Sequence, residues 1–151
     1  MSMMLSFILA LSLSTLALPM LIKHAAAWGL LDAPDGRKQH VGLVPRVGGL
    51  AIAIGTLLSA AIWSFGDSAY VGFLFGSLVI VLFGLLDDRS NLDYRLKFAG
   101  QIIAALIVVG FGIRLTVLPF IGAEMIPAVL IPLAVIFLLA FTNAFNLLHG
   151  L

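Results

Sequence analysis

The chain contains no cysteine. That excludes a disulfide, a thiolate nucleophile and any cysteine-based metal centre, and leaves the cellular compartment to be read from topology alone. Charge is almost as scarce. Eight basic and seven acidic residues are spread over 151 positions, against a hydrophobic share of 62% and a mean hydropathy of +1.20. A water-soluble domain of this length needs far more polar surface, so composition places the chain in the membrane class. The formal net charge of +1 says little about partners, and no nucleic-acid partner is expected. Internal repeats and low-complexity stretches are also missing.

What is present is a series of apolar runs. A helix needs about 20 apolar residues to cross the hydrocarbon core of a bilayer. Five runs approach or reach that length, at about 3–22, 47–65, 70–86, 98–113 and 126–148. They predict an all-α, polytopic transmembrane bundle forming one membrane domain. The first run reads as a span rather than a cleaved leader, although Ala25-Ala26-Ala27 resembles a cleavage site. Met1 to Phe7 holds no Lys or Arg, and the run is long for a signal core. Lys23, Arg37, Lys38 and Arg46 lie between runs one and two, and Arg89, Arg95 and Lys97 between runs three and four. The other side has Asp67, Arg114 and Glu124. The positive-inside rule then makes the two basic connections cytoplasmic, the N-terminus external and the C-terminus cytoplasmic. Small residues recur at helix-packing spacing: Gly72 and Gly76, and Ala51, Gly55 and Ser59. They read as bundle contacts. Pro132 is expected to kink the fifth helix by removing a backbone donor.

Three polar clusters stand out, all assigned to the cytoplasmic face. The first connection contains Asp32-Ala33-Pro34, then Arg37-Lys38-Gln39-His40, then Pro45-Arg46-Val47-Gly48-Gly49. It could be a basic loop that only sets topology. Its turn signals, with two glycines opening a helix beside Arg37, Lys38 and Arg46, also fit a cradle for phosphate oxygens. The second cluster, Asp87-Asp88-Arg89, ends the third run. Carboxylates at an apolar boundary are costly unless paired, which makes them candidates for function. Neighbours on a helix point about 100° apart, so two adjacent carboxylates cannot both face one ion on a regular helix. Either the helix frays there, or one Asp faces a site while the other makes structural pairs. Arg89, Arg95 and Lys97 are available partners. A helix-end cluster that merely reaches for water is the plainer reading. The third cluster is Asn143-Ala144-Phe145-Asn146 with His149. Asn143 and Asn146 share a helix face and need polar partners in an apolar segment, while His149 reads first as an interface residue.

In this order the clusters resemble the polyprenyl-phosphate N-acetylhexosamine-1-phosphate transferase family (glycosyltransferase family 4), and within it the GlcNAc type. The matching pieces are Leu31-Asp32-Ala33-Pro34, Arg37 to His40, Pro45 to Gly49, Gly84 to Arg89, Arg95-Leu96-Lys97-Phe98 with Gln101, and Asn143 to Leu148 with Gly150. The likeness covers the chain from about Leu30 onward, as the N-terminal part of a longer fold. It implies transfer of a sugar-1-phosphate, of the GlcNAc type, from a UDP-amino sugar to undecaprenyl phosphate or another polyprenyl phosphate, releasing UMP. The place would be the cytoplasmic face of the bacterial inner membrane, and the pathway cell-envelope polysaccharide synthesis, lipopolysaccharide included. It implies Asp87 and Asp88 as catalytic residues and as one or both ligands of Mg²⁺, with Mn²⁺ as a substitute. It implies Arg37, Lys38, His40, Arg46, Gly48, Gly49, Lys97, Asn143 and Asn146 as substrate-binding residues, and it admits a homodimer.

Two departures qualify the likeness. His149 stands where the family has an Asp, and the further spans of the family, with another Asp and a histidine-rich loop, have no counterpart here. The chain alone is therefore expected to be inactive. A non-catalytic membrane subunit or remnant is the alternative. A small transporter fits less well, since it would place polar residues near the bilayer midplane and show a repeat.

Overall fold

The computed structural model describes residues 2–32, 42–63, 67–113 and 127–149. Among them are five helices: α1 (Ser2–His24), α2 (Gly48–Trp63), α3 (Ser68–Ser90), α4 (Tyr94–Gly110) and α5 (Pro127–His149). The departure from an all-α pattern is a small antiparallel ribbon. In it β1 (Leu31–Asp32) pairs with β2 (Val44–Pro45) in the register Leu31 to Pro45 and Asp32 to Val44. The helices are predominantly apolar. Met3–His24 and Ser68–Ser90 are long and apolar enough to cross a membrane, while Gly48–Ile62 and Ala128–Ala144 are shorter apolar stretches. Large side chains that would be core in water, such as Phe7, Leu16, Ile52, Phe75, Ile136 and Phe141, are exposed. An outward apolar surface of this kind suits lipid as the solvent.

The chain forms two compact units. The first holds Met1–Phe65 and Val81–Leu92, and the second Gly66–Ile80 and Asp93–Leu151.

In the first unit α1 and α2 pack side by side. The Ser59 hydroxyl donates to the Ser6 carbonyl at 2.8 Å. Gly55 lies against the main chain at Ala10 and Ser14, and Ala51 clusters with Leu21 and Ala25. Residue numbers rise on one helix as they fall on the other, so the two run antiparallel. The seam is made of small residues because lipid gives apolar helices no hydrophobic reason to associate, and close backbone approach must supply the attraction. A Cβ on Gly55 would stand 2.9 Å from the Ser14 amide nitrogen and also meet the Ser14 hydroxyl and the Ala10 carbonyl.

The exit from α1 is closed by a glycine. Gly29, at φ +72°, lets its own N–H reach the Ala26 carbonyl (3.2 Å) and that of Leu30 reach the Ala25 carbonyl (2.9 Å). This pair of bonds satisfies the last carbonyls of a helical turn, and the apolar contact that accompanies it is Leu30 against Ala25, both buried. Leu30, Val47, Leu21 and Ala51 then form the core beneath the ribbon.

In the second unit α4 packs on α5, and Gly72 and Gly76 of α3 explain their own lack of side chains. A Cβ on Gly72 would meet Phe111, and one on Gly76 would meet Val108 and stand 3.1 Å from the Ala104 carbonyl. The Asp67 carboxylate accepts the Ala69 N–H at 2.9 Å and caps the start of α3. The end of α4 repeats the closure of α1: Gly112, at φ +104°, and Ile113 donate to Val109 and Val108.

Gly55→Ala is expected to lower resistance to unfolding in SDS, followed by circular dichroism, by about 1–3 kcal/mol, because the new carbon meets main chain that cannot yield. Gly110→Ala, where a Cβ meets nothing within 4 Å, should leave stability unchanged or raise it by up to about 1 kcal/mol.

Candidate functional site

Arg46 follows β2 directly and is fixed at both ends. Its backbone N–H donates to the Leu30 carbonyl at 2.9 Å, extending the ribbon by one bond. Its side chain turns back across the ribbon, where Nη2 donates to Asp32 Oδ1. Its other terminal nitrogen, Nη1, stands 3.8 Å from Asp88 Oδ1. That distance is an ion pair but not a hydrogen bond. With Asp88 nearly half exposed, the pair contributes no more than about 1 kcal/mol to stability. Its consequence is geometric, since it aims a guanidinium and a carboxylate at the same space.

That space is a half-open cavity of about 170 Å³, lined by Arg46, Gly49, Leu50, Val81, Gly84, Leu85 and Asp88. The α3 contribution follows the helical repeat: positions 81, 84, 85 and 88 share one face. The α2 contribution is its first turn. Val47 is buried and its carbonyl accepts the Ala51 N–H, so the amides of Gly48, Gly49 and Leu50 belong to the end of the helix that lacks intrahelical partners. The positive end of one helix and the negative end of another thus border one cavity, with an Arg and an Asp at its rim.

Asp87 and Asp88 do different things. The helix does not fray, because α3 continues to Ser90. Asn91 then adopts φ +46° and donates to the Asp87 carbonyl at 2.8 Å, and the Asp87 carboxylate accepts the Leu92 N–H at 3.0 Å. Asp87 therefore closes the end of its own helix with both main chain and side chain. A carboxylate at a helix C-terminus costs about 0.3–1 kcal/mol against the dipole. A hydrogen bond to a charged acceptor returns about 1.5–3 kcal/mol, so the arrangement is stable. Asp88, one residue on, lines the cavity.

Gly48 and Gly49 open α2, and a Cβ on either meets nothing within 4 Å. Lys97 lies in the first turns of α4, in the second unit. Asn143, also in that unit, donates from Nδ2 to Gln101 Oε1 at 2.7 Å, linking α5 to α4, and to the Leu139 carbonyl at 2.8 Å. Asn146 and His149 lie in α5, but their side chains are outside the described residues, as are Arg37, Lys38 and His40 altogether. Two contributors stand in the sequence motifs but were not assigned as site residues. Asp32 is the carboxylate that holds Arg46, and Gln101 is the partner of Asn143. The sequence signal for each was faint: an Asp before Ala-Pro, and a single amide in an apolar run. Among the described residues no three His, Cys, Asp or Glu side chains form a metal-binding group.

Comparison with known proteins bears on this arrangement. The family model "Glycosyl transferase family 4" matches residues 70–151, which include all but the first two residues of α3, both aspartates, α4 and α5. The chain belongs to glycosyl transferase family 4. A Bacillus subtilis protein named as a probable undecaprenyl-phosphate N-acetylglucosaminyl 1-phosphate transferase is 31% identical over 97% of this chain and 42% of its own length. An undecaprenyl-phosphate alpha-N-acetylglucosaminyl 1-phosphate transferase of Thermotoga maritima is 38% identical over 80% of the chain and 37% of its own length. The Escherichia coli protein of the same name is 31% identical over 60% and 24%. The chain thus spans about two fifths of the length of the first two relatives. No solved structure matches it significantly. Family membership and the two long apolar helices together make this a membrane-associated protein of bacterial type.

Asp87→Ala is expected to speed amide hydrogen exchange at Leu92 about tenfold, as loss of one hydrogen bond to a charged acceptor dictates. Asp88→Ala should leave that amide unchanged. Equal effects would mean that the two carboxylates do not divide their work in this way.

Proposed function

We propose that this chain takes part in moving a sugar-1-phosphate, GlcNAc-1-phosphate foremost, from a UDP-sugar to undecaprenyl phosphate. The observation that carries this reading is the cavity bordered by Arg46, the first turn of α2 and Asp88, in a chain of glycosyl transferase family 4. In the balanced step, an oxygen of the lipid phosphate attacks the phosphorus that bears the sugar. The P–O bond to the uridylyl phosphate breaks, UMP leaves, and a polyprenyl diphosphate sugar remains.

Two anions must meet, and each protein group has a task in that meeting. Arg46 offers a planar fork of donors to phosphate oxygens. The amides of Gly48 and Gly49 add uncharged donors at a helix N-terminus, a place that favours anions. Asp88 faces the cavity as base or metal ligand, and Asp87 supports the helix end that presents it. Arg37, Lys38, His40, Lys97, Asn143 and Asn146 are further substrate-binding residues in this reading, Asn143 being oriented by Gln101. Carboxylate oxygens suit Mg²⁺ or Mn²⁺, which proteins commonly hold through one or two carboxylates plus substrate phosphates. Asp88, with or without Asp87, would hold the ion, and when bound it would neutralise the diphosphate charge.

The same reading places five spans in the bacterial cytoplasmic membrane with the N-terminus external, the C-terminus cytoplasmic, and the Arg46 and Asp88 ends inside. The product would serve an envelope polysaccharide, lipopolysaccharide among the candidates, and a homodimer is compatible with it. More than half the length of the first relatives lies outside the matched stretch, so the whole reaction is proposed for a protein of their length. For the isolated chain we expect binding without UMP release.

In bilayer discs with Mg²⁺, wild-type chain is expected to bind UDP-GlcNAc, and Arg46→Ala and Asp88→Asn to weaken that binding about tenfold or more, the loss expected for a charge-assisted contact. No binding by the wild type would end this reading, and UMP release by the isolated chain would overturn the division between binding and turnover. Topology is tested separately, and the absence of cysteine makes the test clean. Leu43→Cys and Ser90→Cys should react with an impermeant maleimide from the cytoplasmic side, and Ser64→Cys from the opposite side. Labelling of Leu43→Cys and Ser90→Cys from different sides would be incompatible with a shared site.

A further inference from the structure

Helix α3 contains three glycines, and two of them have a reason within the structure. Gly72 and Gly76 admit Phe111, Val108 and the Ala104 carbonyl to the helix surface. Gly84 admits nothing: a Cβ built there meets no atom within 4 Å. No positive φ requires it either, since Gly29, Gly42 and Gly112 are the glycines with that conformation among the described residues. A glycine in a helix interior weakens the helix, so its presence calls for a compensating use. Gly84 lies on the cavity wall between Val81 and Asp88, and Gly49, equally open, lies on the α2 wall. Both glycines thus border a space of about 170 Å³ with no atom closing off the positions that their Cβ atoms would take.

We propose that Gly84 is a specificity-determining residue: its missing side chain leaves room for the uncharged portion of an organic phosphate whose anionic group meets Arg46. The walls fit such a ligand. Leu50, Val81 and Leu85 are apolar, and the charged groups at the rim are the Arg46 guanidinium, which would meet the phosphate, and the Asp88 carboxylate. A ligand with a phosphate at one end and an uncharged group at the other matches that division. The inference rests on the sugar-phosphate reading above and deepens it by naming the position that limits ligand size. The phosphate ester has two sources in that reaction, the nucleotide sugar and the lipid phosphate, and each can be offered separately.

The test uses Gly84→Ala and Gly84→Leu in the whole chain in bilayer discs, with UDP-GlcNAc and farnesyl phosphate as probes and calorimetric affinity as the readout. Gly110→Ala serves as an open-glycine control outside this cavity. Both Gly84 variants are expected to resist SDS unfolding at least as well as wild type. Affinity for one probe should fall about tenfold with Ala and further with Leu, the scale of a misplaced methyl group in a fitted pocket, and the affected probe identifies the source. Wild-type affinity for both probes in both variants would overturn the role of Gly84 and leave the transfer reading intact. A loss of stability in Gly84→Ala would also overturn it, by making Gly84 a packing glycine like Gly72. Failure of wild type to bind either probe would instead remove the transfer reading, and this inference with it.

Discussion

A single guanidinium joins three separate stretches of the first unit. Arg46 directly follows β2, its side chain pairs with Asp32 of β1, and its second terminal nitrogen faces Asp88 of α3. The ion pairs themselves contribute little, because the groups are partly solvated and exposed pairs are worth up to about 1 kcal/mol. The apolar cluster of Leu21, Ala25, Leu30, Val47 and Ala51 holds the ribbon in place. The guanidinium sets which charged groups face one another. A lysine could keep the charge but not the fork, since one ammonium presents no two coplanar donors to Asp32 while facing Asp88.

The adjacent aspartates show how a helix assigns different work to identical side chains. A step of one residue turns the direction by about 100°, so a carboxylate on the cavity face places its neighbour off that face. Asp88 is in register with Val81, Gly84 and Leu85, all lining the cavity. Asp87 is out of register with them and is positioned to accept the Leu92 amide after the chain reverses at Asn91. Closing the helix just there also sets where α3 stops, and with it how far Asp88 stands from the end. The two aspartates thus divide their work, one closing the helix end and the other lining the cavity.

Much of this architecture was legible in the residues. Apolar runs located the helices, because a run of 16 to 23 residues with few charges has little else to form, and the paired glycines marked the start of α2 at Gly48. The small-residue spacings at Gly72 and Gly76, and at Ala51, Gly55 and Ser59, read as contacts, and they are contacts. Less legible were features that depend on partners far apart in sequence. The end of α3 lies past the apolar run, at Ser90, because a capping bond from Leu92 to Asp87 extends the helix over polar residues that hydropathy does not count. The ribbon has two residues in each strand, too few for any alternation to be read. Asp32 reads in the sequence only as part of a turn motif, since its partner is Arg46, 14 residues away. Gly84 reads as part of a motif in one dimension. Its open side becomes visible only when the neighbouring atoms can be measured and none is found.

The placement of the polar groups follows from the solvent that the apolar surface implies. Within hydrocarbon a helix satisfies its own amides and carbonyls everywhere except in its first and last turns. A chain with so few charged side chains has little other polar material with which to hold a phosphate or a cation, so a polar site is most cheaply built where helices begin and end. The cavity illustrates this. One border is the start of α2, where amides lack helical partners, and the other is the last part of α3, where carbonyls do. The dipole of the first favours negative charge and that of the second positive charge. Arg46 and Asp88 reinforce the same signs at the same ends. Helix termination and site formation are then one structural event, and a substitution that moves either helix end shifts the charge pattern of the cavity even when every lining residue is unchanged.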